Sequence, residues 1–163
     1  MEKIKFAKVR EVKTPERGTE KSAGIDFFIP AAFEPIVLSP GDDIVIPSGI
    51  KAKVPEGYML IAENKSGVAA SEQGVRLSGR QPKKDALRSP LLVGVCVIDE
   101  DYQGEINIHI INVGHENVVL QRDMKIVQFI LVPVSYAVPE IVDEKELFSE
   151  ATSRGEGGFG STN

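Results

Sequence analysis

The apolar positions of this chain recur with a short period almost everywhere. Ile50, Ala52 and Val54 alternate with Lys51 and Lys53, and Ile106, Ile108 and Ile110 alternate with Asn107 and His109. A period of two puts successive side chains on opposite faces of a pleated strand. Turn residues break the pattern at close intervals, among them Pro30, Pro35, Pro40-Gly41, Pro47, Pro55-Glu56-Gly57, Gly94, Gly104 and Gly114. Many short strands between frequent turns predict an all-β domain: a sandwich, a jelly roll or a small barrel.

One short helix is expected, from about Ser66 to Glu72, where Ser66-Gly67 leads into Val68-Ala69-Ala70. The unpaired N–H groups at such a start suit a phosphate, although a lone serine there also serves simply as an N-cap. Ser78 to Ser89 is polar and basic, with Arg80, Lys83, Lys84 and Arg88 against Asp85, and reads as an exposed loop. After Leu147 the strand pattern stops, and the ending is rich in glycine, with one arginine and two phenylalanines. Such a segment cannot pack alone. Arg154, Phe159 and Ser161 nonetheless give it a phosphate fork, a stacking ring and a hydroxyl, which reads as a closing lid.

Composition narrows the chemistry. With 163 residues, 42% hydrophobic and 26% charged, the chain has material for one globular core. A single cysteine, Cys96, excludes an internal disulfide, and two scattered histidines, His109 and His115, do not make a usual zinc site. The net charge of −5 argues against coating a nucleic acid. No apolar run is long enough to span a bilayer and the N-terminus lacks a signal-peptide pattern, so a cytoplasmic protein without membrane partners is expected. An anionic substrate would then need a locally positive pocket, helped by a divalent cation.

Two carboxylates stand out. Val97 to Ile106 reads as a β-hairpin in which apolar strands flank an acidic turn closed by Gly104. Asp99 sits at the end of the apolar run, so it is the carboxylate of that turn expected to be half-buried and fixed. A fixed carboxylate can orient and deprotonate water, worth roughly 10²–10⁴-fold in rate. Asp26, within Ala23-Gly24-Ile25-Asp26-Phe27-Phe28, is charged among large apolar neighbours. It is either a structural acid held by backbone donors or an outer-shell ligand for Mg²⁺, an ion that keeps its waters and binds mainly through phosphates.

Five segments in this order resemble the homotrimeric deoxyuridine triphosphatases (dUTPases) along nearly the whole chain. They are Ala23 to Asp26, Lys65 to Ala69, Gly94 to Glu105, Lys125 to Gln128 and Arg154 to Thr162. The resemblance implies hydrolysis of dUTP to dUMP and pyrophosphate by water attack on the α-phosphorus of a Mg²⁺-bound substrate, removing dUTP and supplying dUMP for thymidylate synthesis. It implies Asp99 as the base, Asp26 as an outer-shell metal ligand acting through water, and Lys65, Ser66, Gly67 and Gln128 on the phosphate chain. Arg154, Ser161 and Thr162 would hold the γ-phosphate, Gly160 would be a further substrate-binding residue, and Phe159 would stack on the base. Tyr102 would lie against the deoxyribose, and backbone around Ile98 and Asn107 would read uracil.

The family fold is a jelly-roll-like β-domain assembled as a threefold homotrimer, each site drawing on three chains. The corresponding division here is a β-domain over residues 1–148, with the exposed basic loop at about 78–89, and a mobile C-terminal arm over 149–163 that closes the site. The sequence departs from the family at Lys65 and Lys125, where arginine is usual, at Cys96, and in a longer 78–89 loop. A dCTP deaminase-like enzyme, with Glu105 as its catalytic glutamate, and a nucleotide-gated regulatory protein are the alternatives on the same fold.

Overall fold

The computed structural model describes residues 3–69 and 90–158. The basic loop at 78–89, the last residues of the expected helix, and Phe159, Gly160, Ser161 and Thr162 therefore lie outside the described residues. The strands are β1 (Lys5–Lys8), β2 (Gly24–Phe28), β3 (Ile36–Leu38), β4 (Asp43–Pro47), β5 (Ile50–Lys53) and β6 (Tyr58–Asn64). After helix α1 (Ser66–Ala69) come β7 (Leu91–Val93), β8 (Val97–Ile98), β9 (Asn107–Asn112), β10 (Val118–Leu120) and β11 (Lys125–Pro133), then α2 (Glu144–Leu147).

The strands form a four-stranded sheet in the order β2-β11-β6-β8, a three-stranded sheet β4-β9-β7, and the two-stranded ribbons β1-β5 and β3-β10. Each of these pairings is antiparallel. The all-β, jelly-roll-like expectation is met, and the alternation in the sequence is the alternation of burial. In β9, Ile108 and Ile110 face the core and Asn107 faces out; in β5, Ile50 is buried while Lys51 and Lys53 are exposed. On one face of the four-stranded sheet, Phe27 of β2 and Phe129 of β11 pack with ring centroids 4.6 Å apart, and Phe6 of β1 meets Phe27 edge-on at 5.6 Å. Burying rings of this size contributes about 2–3 kcal/mol each. Two turns need glycine for its backbone: Gly49 and Gly57 adopt φ of 76° and 78°, which a Cβ disfavours.

A bulge in β11 sets one face of the site. Lys125 pairs with Phe28 and Val127 with Phe27, leaving Ile126 as the extra residue. In an unbroken strand positions 125 and 128 would point to opposite faces. The extra residue turns Lys125 onto the face that carries Gln128, whose register partner is Asp26.

The expected hairpin at Val97 to Ile106 forms differently. At its base β7 pairs with β9, Val93 opposite Ile110, and Gly94 N–H bonds His109 O at 2.9 Å. Beyond that the arms separate: β8 pairs with β6, Ile98 opposite Leu60, while β9 pairs with β4. Among the described residues no ladder joins β8 to β9. Each arm is drawn to the sheet that buries its own apolar residues, Ile98 in one case and Ile106 and Ile108 in the other.

Beyond β11 the chain is tied to the domain by Val134 N–H on Gly57 O at 2.8 Å and by Tyr136 on Glu100, and it otherwise lies open. Residues 135–156 are all exposed, with Ile141 at 100% and Val138 at 88%. Among the described residues no helix is long and apolar enough to cross a membrane.

Candidate active site

The candidate residues fall into separate groups. The first gathers where β2, β11 and the start of α1 meet. Asp26 is buried, and its carboxylate is bracketed by two ammonium groups: Lys65 Nζ donates to Oδ1, and Lys125 Nζ lies 3.2 Å from Oδ2. Lys125 also reaches Glu16 Oε1 at 3.3 Å, and the hydrogen bond to Asp26 raises its pKa above the usual lysine value. Gln128 donates from Nε2 to Asn64 O at 2.8 Å, and Asn64 Oδ1 accepts from Val93 N–H at 2.7 Å. These bonds fix the end of β6, from which Lys65, Ser66 and Gly67 emerge.

Ser66 and Gly67 are exposed in the first turn of α1, where Lys65 O accepts from both Val68 and Ala69 N–H. Among the described residues, a Cβ at Gly67 would meet nothing within 4 Å, so their packing does not demand glycine there. A glycine kept at an open surface suits close approach of a ligand to backbone N–H groups. The group as a whole is a cradle of ammonium, hydroxyl, amide and backbone donors, the donor types that hold a phosphate chain, with Asp26 and Glu16 balancing the two lysines.

The second group is the opened hairpin. Asp99 is exposed in the single chain, so the expectation that it is half-buried is corrected; Glu100 and Glu105 are the half-buried carboxylates of the segment. Glu100 Oε2 accepts Gly57 N–H at 2.5 Å and also bonds Tyr136, raising that phenol's pKa. The last buried side chain of the run is Ile98, and Asp99 already lies past the edge of the sheet. Tyr102 closes the turn by donating its N–H to Asp99 O at 3.2 Å. Its hydroxyl donates to Glu105 O at 3.0 Å, and its ring covers Gly104, where any Cβ would overlap it. Across the opening, Cys96 Sγ lies 4.0 Å from Asn107 O, and burial raises the Cys96 pKa. β8 is paired only with β6, and Asn107 at the start of β9 has Pro47 of β4 as its register partner, so no ladder bridges the backbone around Ile98 and that around Asn107.

The third group is the arm. Arg154 donates from Nε to Gly157 O at 2.9 Å within its own turn, where Gly155 takes φ 51°. It is exposed.

The chain does not bring the first two groups together. Ile98 is opposite Leu60, so Asp99 leaves the sheet near Met59 at one end of β6, whereas Ser66 follows the other end. At about 3.3 Å per strand residue they are separated by about 20 Å. The phosphate chain of a nucleotide does not span that gap.

Several residues that organise the site carry no local signal. Glu105 takes Arg10 Nε at 2.7 Å, Arg10 Nη2 at 3.1 Å and Gly49 N–H at 2.8 Å. The hydrogen bond from Arg10 holds its carboxyl below the usual glutamate range. Arg10 and Glu105 are far apart in the sequence, and nothing in either segment announces the other. Among the described residues no three His, Cys, Asp or Glu side chains cluster to hold a metal ion.

The chain is similar to known proteins along most of its length. The dUTPase family model matches residues 78–163. The deoxyuridine 5'-triphosphate nucleotidohydrolase of Chlamydia pneumoniae is 39% identical over 148 residues, 91% of this chain and 89% of that protein. That of Hydrogenobaculum sp. is 33% identical and covers 98% of this chain and 97% of its own. Among solved structures, the dUTPase of Staphylococcus bacteriophage 80alpha with dUPNHPP superposes with a TM-score of 0.79 at 23% identity, covering 100% of this chain and 99% of that one. With relatives of this similarity along most of its length and the same arrangement of strands, the chain belongs to the dUTPase family.

Proposed function

We propose that the protein hydrolyses dUTP to dUMP and pyrophosphate, removing dUTP and supplying dUMP for thymidylate synthesis, in sites shared between chains of a homotrimer. The observation that carries the reading is the cradle of Asp26, Lys65, Ser66, Lys125 and Gln128 on one chain together with an exposed Asp99 too distant to serve it. A substrate held in the cradle of one chain can meet Asp99 only from another. The exposed arm, with Val138, Ile141 and Phe148 uncovered, supports the same reading, since apolar side chains in that number want a partner surface.

In such a site Asp99 accepts the proton of a water aimed at the α-phosphorus, and pyrophosphate leaves from the other side. Lys65, Lys125 and the Ser66 hydroxyl offset the charge that grows on the phosphate oxygens, and Gln128 fixes their orientation. Lysine in place of the usual arginine offers a point charge and no planar fork, so the Asp26 contacts that aim both ammonium groups matter more. Uracil enters between β8 and β9, where backbone near Ile98 and Asn107 reads its edge; the walls there exclude a 5-methyl group. Tyr102 lies against the deoxyribose. Arg154, Ser161 and Thr162 of the arm grip the γ-phosphate, with Gly160 a further substrate-binding residue, and Phe159 covers the base, keeping bulk water out.

A divalent ion fits only one way. Both Asp26 oxygens already accept a lysine, yet each keeps a second lone pair that can take a metal-bound water. Mg²⁺ would therefore be held chiefly by the phosphates, with Asp26 beyond a water, and would supply charge neutralisation there. The deaminase alternative is disfavoured because Glu105 is engaged by Arg10 and Gly49 and does not stand free beside a base. The basic loop on which the regulatory alternative rested lies outside the described residues.

The test is steady-state turnover of dUTP, dTTP, dCTP and UTP with Mg²⁺, for the wild type and Asp99→Asn. Pyrophosphate from dUTP alone, lost in Asp99→Asn and on chelation of the metal, is the expected result. Formation of dUTP from dCTP would establish the deaminase, and tight binding without turnover would establish the regulatory protein.

A further inference from the structure

We infer that the Arg10–Glu105 pair is a positioning device that fixes the ring of Tyr102 and thereby sets the choice between deoxyribose and ribose. The inference rests on the proposed dUTP hydrolysis and assigns that site a determinant on the N-terminal segment.

Glu105 holds the turn from both of its polar ends. Its carboxylate takes a two-pronged bond from Arg10, at 2.7 and 3.1 Å, and the Gly49 N–H at 2.8 Å. Its carbonyl oxygen accepts the Tyr102 hydroxyl at 3.0 Å and Asn107 Nδ2 at 3.4 Å. The peptide that orients Tyr102 is thus tied through one side chain to two other segments. One is the turn between β4 and β5, which supplies Gly49. The other is the stretch after β1, itself bonded to that turn through Val9 N–H and Gly49 O at 2.8 Å.

Among the described residues, the bond to Glu105 O is the one side-chain hydrogen bond of Tyr102. The residue is 42% exposed, and its ring rests on Gly104, which offers a flat surface and no side chain to grip it. The hydroxyl bond to Glu105 O is what stops the ring from swinging. A steric filter works only when its wall is stiff: a ring free to tilt yields to a 2′-hydroxyl, while the deoxy sugar never presses on it. Loosening the Arg10–Glu105 pair should therefore admit UTP more than it harms dUTP.

Arg10 is the variant of choice because its side chain is 53% exposed and its loss leaves no cavity. The experiment measures kcat/KM for dUTP and UTP in the wild type, Arg10→Gln, Arg10→Lys, Tyr102→Phe and the Arg10→Gln/Tyr102→Phe double variant, with Tm for each. In Arg10→Gln the dUTP/UTP ratio should fall by at least about 10-fold through a lower KM for UTP, while kcat on dUTP changes less than about 3-fold. Arg10→Lys should fall between that variant and the wild type, because a point charge keeps the attraction without the fork. The double variant should lose no more selectivity than Tyr102→Phe, the non-additivity expected when both act through one bond. A wild-type ratio preserved in Arg10→Gln, with or without a lower Tm, overturns the inference and leaves a structural ion pair. A wild type that does not hydrolyse dUTP overturns the function on which it rests, a separate outcome read before any variant.

Discussion

Gln128 occupies the space that any side chain at position 24 would need. A Cβ built on Gly24 overlaps the Gln128 side chain, lying 2.9 Å from its Cβ and closer still to its carboxamide. Gly24 and Gln128 stand on neighbouring strands of one sheet, so the glycine near the start of the chain is explained by the glutamine near its end. Gln128 cannot simply withdraw, because its amide is held by Asn64 O.

Gly24→Ala should therefore either force β2 from β11 or expel the Gln128 amide from the cradle. Overpacking of this kind costs about 1–3 kcal/mol. A lower Tm together with a fall in kcat/KM on dUTP is expected. Gly67→Ala is the contrast: with nothing within 4 Å of its Cβ among the described residues, stability should change by no more than a neutral surface substitution, about 0.5 kcal/mol, while turnover falls because the methyl stands where phosphate approaches. Equal stability losses in both variants would contradict the assignment of Gly67 to ligand approach.

Asp99→Asn should lower kcat by about 10²–10⁴-fold without changing Tm, since the side chain is exposed and carries no packing. Ser66→Ala should also lose turnover. When the two inactive variants are unfolded, mixed and refolded together, activity should return, because some mixed assemblies pair an intact Asp99 with an intact cradle from another chain. No recovery on mixing would place both residues in a site within one chain, against the separation along β6.

Acid should weaken the fold through Glu105. The Arg10 hydrogen bond, followed by the Gly49 N–H, holds its carboxyl below the ordinary value of 4.5, with burial opposing them. A folded-state pKa below the unfolded one means the unfolded chain binds the proton more readily. The contribution is present above about pH 4.5 and is lost as pH falls through the lower folded value. Urea unfolding followed from about pH 6 down to about 3 should show this loss in the wild type, and Glu105→Gln should flatten that part of the curve. An acid limb identical in the two proteins would show that other carboxylates set it.

Much of the fold is legible in the order of the residues. The alternation of Ile106, Ile108 and Ile110 with Asn107 and His109 marks β9 and its buried face, and the Pro-Glu-Gly turn marks the link from β5 to β6. These are local properties: period two fixes which side chains share a face, and glycine fixes where φ turns positive. Asp26, Lys65, Ser66 and Gln128 are recognisable by segment, and the sheet brings them to one place. The half-burial expected of Asp99 fails because an apolar run shows where a strand ends, not how far its last neighbour projects beyond the sheet.

By itself the sequence determined the strand faces, the turn positions, the glycine-rich arm and the order of the chemical segments, because each of these follows from residues within a few positions of one another. Only the tertiary structure decided that the bulge at Ile126 turns Lys125 beside Asp26, that the two arms of the hairpin part to different sheets, and that Arg10 reaches Glu105. It also decided that Asp99 and Ser66 stand at opposite ends of β6. Each of these depends on strand pairing between distant segments, and which backbone edge wins a partner is settled by how the whole chain buries its apolar faces.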